Sequence, residues 1–305
     1  MKVKVAVLQY PPVFFDKEAT LARTEQLVSE YATGGTQLIL FPESFIPGYP
    51  RGFGFGAVIG SRSAEGRQLY ADYLANSIDL ESEDRSRLEA IARKNEVYIV
   101  IGVTERIGGS LYCSMLYLSP DNGLEAVHRK IKPTGSERLI WGEAPVYGKK
   151  GAGAGANMAA VQTGFGKIGG LICWENYMPL ARMALYEQGV QLYLAPTADS
   201  REVWTSTLRH IALEGRCFVL GCNQYFTKSM YSPEHQALAR DEPEEMCPGG
   251  SIIVSPLGEV IAGPLVGKAG ALVAELDLDD IPRARLDFDV VGHYARPDLF
   301  RFQWR

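Results

Sequence analysis

The sequence predicts an α/β protein: a layered sandwich of mixed sheets, each carrying helices on one side. Three observations lead there. Short apolar runs suited to buried strands alternate with helical patterns from end to end. Three strand-like runs follow one another at 97–104, 111–118 and 124–129, joined by Gly108-Gly109 and Asp121-Asn122-Gly123, the pattern of an antiparallel meander. Elsewhere helices separate the strands, as parallel neighbours require. A sheet with both kinds of neighbour fits a sandwich better than a doubly wound parallel sheet.

Taken in order, 3–8 is a short buried strand, and 17–33 is a helix with Leu21, Leu27, Val28 and Tyr31 on one face, stopped by Gly34-Gly35. Residues 37–41 form a second buried strand, ended by Pro42. Two helical stretches fill 64–95, the second with Leu88, Ile91 and Ala92 at i, i+3, i+4. After the meander, 130–157 is an irregular excursion holding Gly135, Gly142, Pro145 and the run Gly151-Ala152-Gly153-Ala154-Gly155. Loops this long inside compact domains are usually functional or mobile.

Strands at 158–163 and 167–172 precede a helix over 178–188, with Pro179 in its first turn and Gly189 after its end. Residues 191–195 are a strand, and Asp199 and Glu202 stand at capping-box spacing before a helix reaching Gly215. Strands follow at 217–225, 251–255, 259–262 and 270–276, and a short helix near 279–286 leads into an irregular tail. Segment 228–248 is polar, contains Pro233, Pro243 and Pro248, and reads as a second surface excursion. Without an internal repeat or an interdomain linker, residues 1–305 form a single domain.

Composition narrows the classes of function. A chain of 305 residues buries roughly three-quarters of its unfolded surface, so its core needs no staples. With 46% hydrophobic and 22% charged residues it is neither disordered nor fibrous. Lys and Arg total 31 against 36 Asp and Glu, a net charge of −5, which argues against a general nucleic-acid binder. The five cysteines, odd in number and without C-x-x-C, make no disulfide framework, and the spacing of Cys217 and Cys222 disfavours a zinc site. Neither a secretory signal nor an apolar run near the ~20 residues of a membrane span is present. The expectation is a cytoplasmic protein with reduced thiols.

Catalytic groups in α/β proteins gather beyond the carboxyl ends of strands. Three reactive residues occupy such positions. Glu43 follows the 37–41 strand and Pro42, Lys130 follows the 124–129 strand, and Cys173 follows Gly169-Gly170-Leu171-Ile172 before a helix. A thiol at a helix start is expected to favour its thiolate, whereas most cysteines are simply buried packing. Cys113, Cys217 and Cys222 lie within strand patterns and read as structural, and Cys247 lies in a Pro-rich loop. Desolvation would raise the Glu43 carboxyl toward a range useful for proton transfer; its bland reading is a cap. Strand alternation places Lys130 opposite Arg129, although a charge run is usually a solvated face. Glu137 could pair with Lys130 or Arg138. A Cys-His hydrolase is the alternative to this set, but nothing in the sequence ties His128 or His210 to Cys173.

The blocks Phe41-Pro42-Glu43-Ser44-Phe45-Ile46-Pro47-Gly48-Tyr49-Pro50, His128-Arg129-Lys130-Ile131-Lys132-Pro133-Thr134 with Glu137-Arg138 and Trp141-Gly142, and Gly169-Gly170-Leu171-Ile172-Cys173-Trp174-Glu175-Asn176 resemble the nitrilase branch of the carbon–nitrogen hydrolase superfamily. That resemblance implies a four-layer α-β-β-α sandwich and a site of Glu43, Lys130 and Cys173, with Glu137 as a second glutamate. It implies hydrolysis of a nitrile to the carboxylic acid and ammonia through a thioimidate and a thioester, with Lys130 and the Trp174 N–H stabilising developing charge and no metal or organic cofactor. Two other readings stand beside it: an amidase using the same residues, and a catalytically silent scaffold or binding protein.

Three features depart from the pattern. Trp141-Gly142 runs into Glu143-Ala144-Pro145 rather than Gly-Asp-Gly, Cys113 stands where relatives carry Asn, and little chain follows Tyr294. A homodimer or small homo-oligomer is therefore expected rather than a filament. Tyr49, Trp141, Trp174 and Trp204 are the expected substrate-binding residues, with Phe53, Phe55 and Tyr177 nearby. Such an aromatic lining favours aryl or arylacetonitriles over aliphatic nitriles.

Overall fold

The computed structural model describes residues 1–144 and 157–304. Two mixed sheets stack face to face, and helices cover the outer surface of each. The first sheet has the order Gly270–Asp277, Lys2–Gln9, Leu38–Leu40, Tyr98–Ile107, Ser110–Ser119, Gly123–Arg129. Its middle pairings, Lys2–Gln9 with Leu38–Leu40 and Leu38–Leu40 with Tyr98–Ile107, are parallel; the meander and the outer pairing with Gly270–Asp277 are antiparallel. In the second sheet Gly166–Gly170, Leu192–Pro196 and Phe218–Cys222 run parallel, flanked by antiparallel Val161–Thr163 and Glu245–Val254. The last of these also pairs with Tyr225–Thr227 and Val260–Val266.

Side-chain alternation along each strand builds the four layers. Along the first strand, Val3, Val5 and Val7 pack in one cluster with Ile168, Leu192, Leu194, Phe218 and Leu220 of the opposite sheet. Ala6 and Leu8 point outward, to Leu21, Leu27 and Val28 of helix Lys17–Tyr31 and Leu88 and Ile91 of helix Glu83–Lys94. On the far side, Tyr193, Ala195 and Val219 meet Leu185 of helix Pro179–Glu187 and Leu208 and Ile211 of helix Val203–Gly215. The predicted sandwich and its α-β-β-α layering are what the chain forms.

Several local expectations are corrected. The strand placed at 158–163 is only Val161–Thr163. The Asp199/Glu202 capping box does not form: Glu202 is itself helical and caps nothing with its side chain, while Asp199 binds Arg201 and Trp174 instead. Segment 228–248 is less of an excursion than its polarity suggests. It contains helix Pro233–Leu238, and its end is the first part of strand Glu245–Val254. There Met246 and Cys247 are buried with Tyr231 and Phe226, because the aromatic cluster around Phe14 supplies an apolar wall. Cys247 is thus a strand residue, its thiol 3.0 Å from the Gln224 carbonyl. Within 130–157, Gly135–Leu139 is a short 3-10 turn; Pro145 and the Gly151–Gly155 run lie outside the described residues. No helix among the described residues is long and apolar enough to cross a membrane.

Candidate active site

Glu43 sits on a turn rather than a strand. Phe41 N–H still bonds to the Val100 carbonyl at 2.9 Å, and Phe45 N–H bonds to the Gly102 carbonyl at 2.8 Å. Between them the backbone of Pro42 and Glu43 rides over Gly102, where a side chain would have no room. Ser44 takes a positive φ of 45° and anchors its hydroxyl 2.9 Å from that of Thr104. From the second sheet, Gln224 Nε2 donates to the Glu43 carbonyl at 2.9 Å. The carboxyl so placed is fully buried.

Lys130 continues the Gly123–Arg129 strand, its N–H bonded to the Cys113 carbonyl at 2.8 Å. Alternation separates it from Arg129, which turns the other way to pair with Glu105 at 2.6 and 2.7 Å. The buried Lys130 ammonium donates to Glu43 Oε1 at 2.6 Å and to Glu137 Oε2 at 2.8 Å. A buried cation is tolerable only with such partners. Burial acts to lower its pKa, but the facing carboxylates, Glu43 foremost, outweigh burial and hold the ammonium well above the usual lysine range. Glu137 is itself fixed by the Thr134 N–H at 2.6 Å and the Tyr49 hydroxyl at 2.9 Å. Burial raises the Glu43 carboxyl despite Lys130, and the like charge of Glu137 adds to the rise. One oxygen of Glu43, Oε2, has no hydrogen-bond partner among the described residues.

Cys173 opens a 3-10 turn, Cys173–Tyr177, in the strained left-handed region at φ 51°. It is almost completely buried. The expectation that a helix start would favour its thiolate is reversed here: burial, with the charge of Glu43 second, pushes the thiol up to about 12. At neutral pH the sulfur is protonated and needs a base. Thr197 Oγ1 lies 3.2 Å from its Sγ.

Glu175 holds the two strand ends together. Its Oε1 accepts from the Ile131 N–H, next to Lys130, at 2.5 Å. Its Oε2 accepts from the Ile172 N–H, next to Cys173, at 2.6 Å, and meets His128 Nε2 at 2.8 Å. His128 is therefore engaged with Glu175 rather than with Cys173. Asn176 completes the turn by donating to the carbonyls of Leu171 and Cys173. Sequence reasoning singled out neither Glu175 nor Gly102 nor Thr197. The signal for Glu175 lay in its position two residues after Cys173, but two of its three partners, His128 and Ile131, come from the other sheet.

A cleft of about 240 Å³ opens over Cys173, lined by Tyr49, Glu137, Trp174 and residues 198–201. Of the four aromatic residues expected to bind substrate, Tyr49 and Trp174 line this cleft. Trp141 stands behind Tyr49, edge-on at 5.6 Å, with its ring facing Lys130 Nζ at 5.8 Å. Trp204 lines a neighbouring cavity of about 290 Å³, and Phe53 and Phe55 border a separate small one with Tyr49. The Trp174 indole N–H donates to Asp199 at 2.8 Å, and Arg201 stacks over its ring at 5.0 Å. Cys113, which stands where relatives carry Asn, places its Sγ 3.5 Å from Glu43 Oε1, where a thiol is a weak donor. Among the described residues no group of three or more His, Cys, Asp or Glu could hold a metal ion.

A buried carboxyl with a free oxygen and an ammonium locked in its charged form lie within electrostatic reach of the neutral Cys173 thiol that lines the cleft; such a set can move a proton off sulfur and stabilise negative charge on a bound molecule. Comparisons with known proteins agree with that chemistry. Residues 4–286 match the carbon–nitrogen hydrolase family model. The chain is 50% identical to an aliphatic nitrilase of Sinorhizobium fredii over 98% of its length and 94% of that protein. It is 46% identical to a bifunctional nitrilase/nitrile hydratase of Nicotiana tabacum (97% and 84% covered) and 45% identical to an arylacetonitrilase of Trametes versicolor (99% and 97%). A carbon–nitrogen hydrolase structure from Helicobacter pylori superposes with a TM-score of 0.74 at 20% identity, covering 99% of this chain and 100% of that one, a likeness of fold. The chain belongs to the carbon–nitrogen hydrolase family, in its nitrilase branch.

Proposed function

We propose that the protein is a nitrilase that converts an organic nitrile and two waters to a carboxylic acid and ammonia, with Cys173 as nucleophile. The observation that carries this reading is the buried Glu43–Lys130–Glu137 cluster within electrostatic reach of Cys173, whose thiol lines the cleft. Glu43 takes the thiol proton, the thiolate adds to the nitrile carbon, and the proton passes to nitrogen, giving a thioimidate. Water, deprotonated by Glu43, adds to that carbon. Collapse of the tetrahedral species expels ammonia and leaves a thioester. A second water releases the acid and restores the thiol. Lys130 and the backbone N–H of Trp174 stabilise the charge that develops on nitrogen and later on oxygen, while Glu137 keeps Lys130 in place. Every proton is returned, so the cycle needs no cofactor.

Tyr49 and Trp174 flanking the cleft support aryl or arylacetonitriles as substrates, in keeping with the arylacetonitrilase relative; the aliphatic nitrilase relative supports aliphatic nitriles as the alternative. The bifunctional relatives support release of some amide, which follows if the tetrahedral species expels the thiol instead of ammonia. The test is a panel of aryl, arylacetic and aliphatic nitriles, with ammonia, acid and amide measured separately. Acid and ammonia in equal amounts, lost in Cys173→Ala, are expected. Turnover of amides alone, or no turnover of any nitrile by the wild type, sinks the reading.

A further inference from the structure

We propose that Thr197 is a catalytic residue of this site: its hydroxyl donates to the sulfur of Cys173 and stabilises the thiolate both as it attacks and as it leaves. The proposal rests on Cys173 being the nucleophile. Thr197 directly follows strand Leu192–Pro196, beside the strand that leads to Cys173, and its own N–H is bonded to the Cys222 carbonyl at 2.9 Å. The side chain is thus fixed from behind and almost wholly buried.

Two contacts set the direction of its hydroxyl. The Asp199 N–H donates to Thr197 Oγ1 at 2.9 Å, so a lone pair of that oxygen is already occupied. The other neighbour is Cys173 Sγ at 3.2 Å, the one acceptor within reach among the described residues. A hydroxyl with a single hydrogen and a single acceptor points that hydrogen at the acceptor. The Asp199 bond also polarises the O–H, which strengthens donation.

Physical need agrees with geometry. Burial and the charge of Glu43 both oppose ionisation of this thiol. The charge of Lys130 partly offsets them, but the ammonium makes no hydrogen bond to the sulfur, and two of its three donors go to the two carboxylates. A neutral donor on the sulfur favours the thiolate without adding a charge to be desolvated. Asp199 links this donor to the rim of the cleft, since its carboxylate also accepts the Trp174 indole N–H and the Arg201 guanidinium.

The experiment compares Thr197→Val, which keeps the shape and removes the hydroxyl, with Thr197→Ser, which keeps the hydroxyl and removes the methyl. The first readout is the rate of alkylation of Cys173 by iodoacetamide between pH 6 and 9, with Cys173→Ala giving the background from the other cysteines. A neutral hydrogen bond is worth roughly three- to tenfold in thiolate fraction. A more basic thiolate is also a better nucleophile, which returns about half of that on a logarithmic scale. Thr197→Val is therefore expected to alkylate roughly two- to threefold more slowly at every pH. Its kcat on a nitrile should fall roughly three- to tenfold with KM little changed, while Thr197→Ser stays within about twofold of wild type on both readouts.

Wild-type alkylation rates in Thr197→Val overturn the proposal. So does a Ser variant as impaired as the Val variant, since the methyl and not the hydroxyl would then matter. Should the Val variant fail to fold, Thr197→Ala against Thr197→Ser decides by the same criteria. Because alkylation needs no nitrile, a shifted thiol in a protein that turns over no nitrile would leave this assignment standing and fell the reaction proposed above.

Discussion

Gly102 lies directly beneath Glu43: a methyl group on Gly102 would stand 2.2 Å from the Pro42 carbonyl oxygen and 2.7 Å from the Glu43 Cα. The turn carrying the carboxyl is therefore supported by an absence of side chain on the neighbouring strand. Gly102→Ala must push that turn away from the sheet. Overpacking of this kind costs ~1–3 kcal/mol, and small displacements of a positioned group cost up to ~100-fold in rate. A lower urea midpoint together with at least a tenfold loss of kcat is expected, the tenfold being roughly the lower part of that range. A variant with wild-type turnover would show that the turn does not set the position of Glu43.

The raised Glu43 carboxyl fixes the acid side of the pH profile. The group acts ionised, so kcat/KM falls about tenfold per unit as pH drops below its pKa. Because that pKa is raised by burial and by Glu137, the fall begins above ~4.3, the ordinary glutamate value. The alkaline side is expected to be flat through pH 9, since Lys130 is held in its charged form beyond the usual lysine range. A kcat/KM profile whose acid limb sits at the ordinary carboxyl value would contradict the assignment.

Lys130→Met leaves Glu43 and Glu137 buried without their cation. Turnover should be lost, and stability should drop by ~3–5 kcal/mol at neutral pH, the scale for breaking a buried pair. In the variant Glu43, already raised by burial, loses the cation that opposes the rise, so its folded pKa goes up further. Stability is then retained at low pH and lost as pH rises through that pKa. Urea titrations at pH 5 and pH 8 check this, and the deficit relative to wild type must be the larger at pH 8.

Glu175→Ala removes the acceptor for the Ile131 and Ile172 N–H groups and for His128. Each buried donor left unpaired costs ~1–3 kcal/mol. A loss of several kcal/mol in denaturant unfolding is expected, with kcat reduced because the neighbours of these N–H groups are Lys130 and Cys173. Glu175→Gln, which still accepts through one oxygen, should fall between Ala and wild type. Equal stability in all three proteins would mean that Glu175 does not tie the two sheets.

Much of this was legible in the chain itself. Period-two and period-3.6 patterns locate the strands and helices of the sandwich, because burial of one face dictates residue type at that spacing. Glu43 and Cys173 were locatable for a related reason: each is a polar residue at the end of an apolar strand, a place that packing alone does not call for; Lys130, within a charged run, was separated from Arg129 by strand alternation. The strand at Glu245–Val254 was missed in its first half because Met246 and Cys247 are buried by aromatic residues from distant segments, Phe14 and Phe226 among them. Tertiary contact alone decided the rest. The Lys130 ammonium is held charged by carboxylates 87 and 7 residues away, and Glu175 joins ends of different sheets. The Cys173 thiol is pushed up rather than down, because its local helix start is outweighed by burial that only the assembled sheets impose. Spacing along a chain records which face each residue presents; the surrounding charge and solvent exposure, which set what the residue can do there, arise only when the faces meet.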